Sequence, residues 1–153
     1  KTIEFQTKIN VSSTTLFSFE MKKEMKLSNV KEYYFQALSN SNWANEGYLV
    51  VLDIKNEERV LNEFRKLNSA FGIGLIQLDQ TNVEQSEILF SSREKDEIDW
   101  DVFDSLMKEN EDFRDFISSV TDDIKIGKID NTNEYDEIMG ELEIKKYIEK
   151  KFE

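Results

Sequence analysis

Two apolar runs, Tyr48-Leu49-Val50-Val51-Leu52 and the stretch from Ile73 to Leu78, flank a helical pattern, and this arrangement narrows the possible folds more than any other feature. A short apolar run without strict polar alternation is expected of a strand buried on both faces. Between the runs, Val60, Leu61, Phe64, Leu67 and Phe71 recur at helical spacing over about 56–71. Gly72 follows at the place where a left-handed residue closes a helix. Strand, helix and strand over this length form a crossover unit with a parallel pair of strands. The chain is therefore read as an α/β domain.

Upstream of this unit the hydrophobic period is two, then changes. Ile3, Phe5, Ile9 and Val11 alternate with polar residues, as in a half-buried strand. Ser12-Ser13 supply turn chemistry. A second strand runs from Thr15 to Lys22, with Thr15, Phe17, Phe19 and Met21 on one face and Leu16, Ser18, Glu20 and Lys22 on the other. The two strands read as a β-hairpin. Asn29 with Glu32 resembles a capping box, and Val30, Tyr33, Tyr34, Ala37 and Leu38 form the stripe of a helix. Downstream, Glu87 to Phe90 reads as a short edge strand. Two helices follow, striped by Trp100, Phe103 and Met107 and by Phe113, Phe116, Ile117 and Val120. The predicted organisation is one domain over 1–126 and a tail or helix over 127–153.

Composition excludes several chemistries. The 153 residues contain no Cys and no His, so neither thiolate nor imidazole metal sites, disulfides or a His-based triad can be built. Chemistry must come from carboxylates, Lys, Arg, hydroxyls and amides. No apolar run reaches the roughly 20 residues of a membrane span, and no signal-peptide pattern opens the chain. A cytoplasmic protein is expected. The formal net charge of −12 opposes nucleic acid, but most of the acid lies after residue 90, and Lys22, Lys23, Lys26 and Lys31 cluster before it.

Glu20 and Lys22 stand two residues apart on one strand, hence on one face. A carboxylate so placed can ligate a hard cation such as Mg²⁺, and the ammonium can stabilise charge on a phosphate. The pattern alone is weak. Glu24-Met25-Lys26, Asp53-Ile54-Lys55, Asp123-Ile124-Lys125 and Glu143-Ile144-Lys145 repeat it, and most such pairs in a charged chain are solvated. Context separates Glu20 and Lys22, because only they lie on the second strand of a hairpin that leads straight into an amphipathic helix and then a buried strand.

The segments Leu16-Phe17-Ser18-Phe19-Glu20-Met21-Lys22 and Ser39-Asn40-Ser41-Asn42-Trp43-Ala44-Asn45-Glu46-Gly47-Tyr48, with Phe71-Gly72-Ile73-Gly74-Leu75-Ile76 and Ile98-Asp99-Trp100-Asp101, carry a resemblance. Over roughly 16–120 the chain resembles the C-terminal domain of bacterial HrgA-like proteins, a family associated with restriction-modification loci. The resemblance implies a PD-(D/E)xK, restriction-endonuclease-like core: a β-hairpin, then helix, strand, helix and strand in a mixed sheet, with C-terminal helices. It implies metal-dependent cleavage of DNA phosphodiesters in the intact chain, with Mg²⁺ or Mn²⁺ as cofactor and double-stranded DNA as partner.

On that resemblance Glu20 is the metal ligand and Lys22 its catalytic neighbour, with Gln36 in support from the following helix. Lys26 and Lys31 become candidates for phosphate contact, and Asn42 and Asn45 for DNA contact from the amide-rich segment after the helix. A solvated or purely structural role stays open for each of these four, and an ordinary polar helix face for Gln36. The chain departs from the pattern by lacking a Pro-Asp pair before the hairpin. A second acidic ligand is expected upstream of Lys1, in a longer parent chain, and the residues here would be inactive alone. A homodimer is allowed by the sequence but not required. The competing expectation is a non-catalytic module of the same fold that mediates protein contacts.

Overall fold

Leu49, Val50 and Val51 are all buried, and the strand that carries them organises the sheet. The computed structural model describes Phe5, residues 14–127, Gly140, Leu142, Glu143 and Lys146. In chain order the elements are β1 (Phe17–Met25), α1 (Val30–Asn40), β2 (Glu46–Ile54), α2 (Glu57–Phe71), β3 (Gly74–Gln77), a 3₁₀ turn (Val83–Gln85), β4 (Glu87–Phe90), α3 (Trp100–Glu109) and α4 (Glu111–Ile126). The four strands form one mixed sheet in the order β1-β2-β3-β4. β1 pairs with β2 and β2 with β3 in parallel, whereas β3 and β4 are antiparallel. The expected parallel crossover unit and the short edge strand are both present.

The chain separates into two compact units, Ser13–Leu106 and a second that contains Met107–Glu153 and Phe5. The sheet, α1 and α2 belong to the first. Its core joins Val30, Tyr34 and Ala37 of α1, Val60 and Phe64 of α2, and Leu49, Val51, Ile73 and Leu75 from β2 and the β3 region. Both helices thus pack on the sheet face that carries Leu49 and Val51. The topology explains this placement. Successive parallel steps in one direction, each with the same crossover hand, put their helices on the same side.

Tyr34 ties the layers together. Its hydroxyl donates to the Leu67 carbonyl of α2 at 2.9 Å and accepts from the Ile73 N–H at 2.9 Å. Its ring meets Phe64 edge-on at 5.1 Å. Gly72 ends α2 at φ 87°, as expected of that position, and its N–H donates to the Asn68 carbonyl. Gly74 is required for a different reason: a Cβ there would collide with the Tyr48 ring and lie 2.8 Å from the Ser92 backbone nitrogen.

Three local expectations are corrected. Asn29 precedes α1, but its side chain makes no helix-capping bond; its carboxamide oxygen instead accepts from the Lys26 N–H at 2.8 Å, which closes the turn. The hairpin partner expected at Ile3–Val11 lies outside the described residues except for Phe5, which is helical and wholly buried rather than extended. β1 finds its partner in β2, in parallel. Phe116, placed in the apolar stripe of its helix and so expected to be covered, is 40% exposed. In the second unit α4 buries Ile117, Ser119, Thr121 and Asp123, and its closure at Gly127 has φ 69°. The tail expected over 127–153 falls almost wholly outside the described residues.

Candidate functional site

Alternation along β1 places Ser18, Glu20 and Lys22 on one face and Phe17, Phe19 and Met21 on the other. The register pairs Glu20 with Leu49 and Lys22 with Val51. Side chains of partnered residues in a parallel pair share a face, so Glu20 and Lys22 stand on the helix-covered side. The polar face of β1 is the covered one. Phe17, Phe19 and Met21 are 45%, 57% and 63% exposed on the opposite side.

The Lys22 Nζ is 2.8 Å from the Glu20 Oε1. The Asn40 amide donates to the other carboxylate oxygen, Oε2, at 2.9 Å. The Lys22 ammonium also sits over the Tyr33 ring, 5.0 Å from its centroid. The hydrogen bond from Lys22, followed by that from Asn40, holds the Glu20 carboxyl below its ordinary range, against a smaller opposing effect of burial. A carboxylate with both oxygens engaged by donors is stabilised in its charged form at neutral pH.

Covering distinguishes this pair from the other acid-x-Lys pairs on strands. The Lys22 and Glu20 side chains are 22% and 20% exposed. Lys26 with Glu24 are 52% and 40% exposed, and Lys55 with Asp53 are 54% and 48%. The latter two behave as solvated surface pairs. At the Asp123 repeat, Lys125 turns to Asp122 at 2.9 Å.

The remaining expected residues are placed as follows. Gln36 is exposed on α1, three residues after Tyr33 and four before Asn40. This helical spacing puts it on the face whose two ends touch Lys22 and Glu20. Lys31 reaches away from the site and pairs with Glu63 of α2 at 3.2 Å. Lys26 pairs with Glu24 at 3.5 Å. Asn45 works inside the chain: its side-chain oxygen accepts from the Leu16 N–H at 2.9 Å, and its amide donates to the Lys95 carbonyl at 3.4 Å. Asn42 uses its backbone carbonyl to accept from the Asp99 N–H at 2.9 Å. Glu20, Lys22 and the α1 face are therefore brought together, and Lys26, Lys31, Asn42 and Asn45 are distributed elsewhere.

Asn40 and Tyr33 were not among the sequence candidates. Their signal was present in the helical repeat through Gln36, but recognising it requires knowing that α1 lies along β1 with its ends reversed. Lys95 was also missed. Its ammonium donates to the carbonyls of Ser41 at 2.9 Å and Ala44 at 3.4 Å, just past the end of α1. Desolvation lowers its pKa, with partial compensation from Asp99. This residue anchors the segment that follows Asn40.

Among the described residues, no group of three acidic side chains gathers to hold a metal ion. Glu20 supplies one carboxylate, and the described surroundings do not complete a divalent-cation site. No family model matches the chain, and no curated protein or solved structure does either.

Proposed function

We propose that this chain is a nuclease-type domain with a restriction-endonuclease-like core, related to HrgA-like proteins, and that it takes part in metal-dependent cleavage of DNA phosphodiesters in the intact protein. The observation that carries the reading is the covered Glu20–Lys22 pair, held under α1 on a strand that passes through this helix into the parallel strand β2. In this reading Asn40 orients the Glu20 carboxylate, and Lys22 is the cation that a phosphate oxygen meets. Cleavage needs a divalent cation, and the second carboxylate for it comes from outside the described residues. Mg²⁺ in protein sites keeps one or two carboxylates together with substrate oxygens, which makes Glu20 necessary and not sufficient. The test is calorimetric titration of the intact protein with Mg²⁺ or Mn²⁺, together with incubation on duplex DNA. Metal binding and cleavage, both lost in Glu20→Gln, support the reading. Binding that survives Glu20→Gln moves the site elsewhere.

A second reading has its own observation. Phe17 stacks on Phe19 at 6.4 Å and Phe19 on Tyr48 at 6.0 Å, on the outer side of β1 and its neighbour β2. An exposed aromatic row beside a chain of net charge −12 suits a non-catalytic protein-interaction module better than a DNA-binding surface. Absence of metal binding in the intact protein would favour this alternative.

A further inference from the structure

At the carboxyl ends of β2 and β3 lies a cavity of about 500 Å³. Open α/β sheets place their ligands at this end of the parallel strands, and the volume falls within the usual range for small-molecule sites. Leu52 of β2 and Leu78, just beyond β3, give the cavity apolar wall. Gln77, Gln80 and Gln85 give it three primary amides. None of these three side chains has a hydrogen-bond partner among the described residues. Each offers two donors and an acceptor to whatever enters.

The loop that frames the cavity is tied to itself. The Asp79 carboxylate accepts from the Thr81 N–H at 2.8 Å, the Thr81 hydroxyl at 2.8 Å and the Asn82 N–H at 2.9 Å. Ser86 accepts from the Asp79 N–H at 3.1 Å, and the Gln85 N–H donates to the Asn82 carbonyl at 2.9 Å. The loop backbone that carries Gln80 and Gln85 is thus fixed before any ligand arrives, which lowers the ordering cost of binding.

Charge narrows the ligand. Asp79 and Glu87 line the cavity, and no Lys or Arg does. A phosphate would meet like charge without a counter-charge, so the bound portion is neutral. It must present hydrogen-bond donors beside acceptors to answer the amides, and an apolar face to answer the leucines. A purine base meets both demands, since a carboxamide matches the adjacent donor and acceptor on the edge of adenine. We propose that this cavity binds a nucleobase, carried as a neutral nucleoside of adenine type. Glu20 and Lys22 do not line the cavity, so the site is independent of the nuclease reading.

The probe is adenosine, titrated into the full chain by calorimetry and by NMR of the glutamine side-chain amides. A dissociation constant on the order of 0.1 mM is expected for a ligand of this size at ordinary ligand efficiency. Gln77→Leu and Gln85→Leu, which keep bulk and remove the amide, should each weaken binding by about fivefold, the effect of one lost hydrogen bond. Gln85 is exposed on the loop, so its variant keeps the test intact should Gln77→Leu fold poorly. AMP should bind no more tightly than adenosine, and added salt should leave the adenosine affinity unchanged. No adenosine binding at about 5 mM, affinity unchanged in both variants, or tighter binding of AMP would each overturn the proposal.

Discussion

Replacing Tyr34 with Phe keeps the ring and its edge contact with Phe64, and removes only a hydroxyl that serves two layers at once. The hydroxyl donates to Leu67 of α2 and accepts from the N–H of Ile73, a residue 1% exposed. Two net hydrogen bonds at about 1 kcal/mol each set the lower part of the cost. Leaving the buried Ile73 N–H unpaired adds about 1–3 kcal/mol of desolvation. The Leu67 carbonyl is mid-helix and retains its helical partner, so it adds little. The expected loss is about 3–5 kcal/mol, which displaces a urea midpoint by about 1 M or more at the usual slope for a domain of this size. Urea unfolding followed by far-UV circular dichroism measures it, and amide exchange at Ile73 localises it. Tyr34 also carries a pH signature. Burial is the largest cause of its raised pKa, so the folded state holds the phenolic proton more tightly than the unfolded chain. Its stabilisation is then complete below the unfolded value of about 10 and declines as pH rises past it. A loss below about 0.5 kcal/mol, outside the range expected for a buried pair, would show that Ile73 finds another acceptor and that Tyr34 does not join the layers.

Other outcomes follow from the same contacts. Because the Glu20 pKa is lowered, its stabilisation is present above the unfolded value and is lost as pH falls through the folded one; the stability difference between wild type and Glu20→Gln should therefore shrink below about pH 4.5, read from urea curves at several pH values. Asn45→Ala removes the acceptor of the Leu16 N–H and the donor to Lys95, and should cost about 1–2 kcal/mol while leaving the secondary structure by circular dichroism unchanged. Gly74→Val places carbon within the Tyr48 ring and against the backbone of Ser92, and the soluble yield should collapse in expression trials. With its charge of −12, the chain should bind duplex DNA weakly, and a sub-micromolar dissociation constant at physiological salt would contradict that.

Periodicity and turn chemistry act over a few residues, and much of what depends on them was legible in the sequence, the cap expected of Asn29 and the extended backbone expected at Phe5 excepted. The apolar run at Tyr48–Leu52, the α2 stripe ending at Gly72 and the apolar stretch after it required a parallel crossover, and β2 and β3 form one. A spacing of two on a strand required Glu20 and Lys22 to share a face, and their side chains meet at 2.8 Å. Three matters waited for the tertiary structure. Alternation divides β1 into two faces but cannot say which is covered; Phe17 and Phe19 made the apolar face the natural choice for burial. The direction of the successive crossovers decided instead, by laying α1 and α2 over the Leu49 and Val51 side, where Glu20 and Lys22 stand. The partner of β1 was likewise a matter of long-range register, and it is β2 rather than a preceding strand within the described residues. Asn40 reaches Glu20 across twenty residues of chain, because a helix packed antiparallel on its own strand returns its last turn to that strand's beginning.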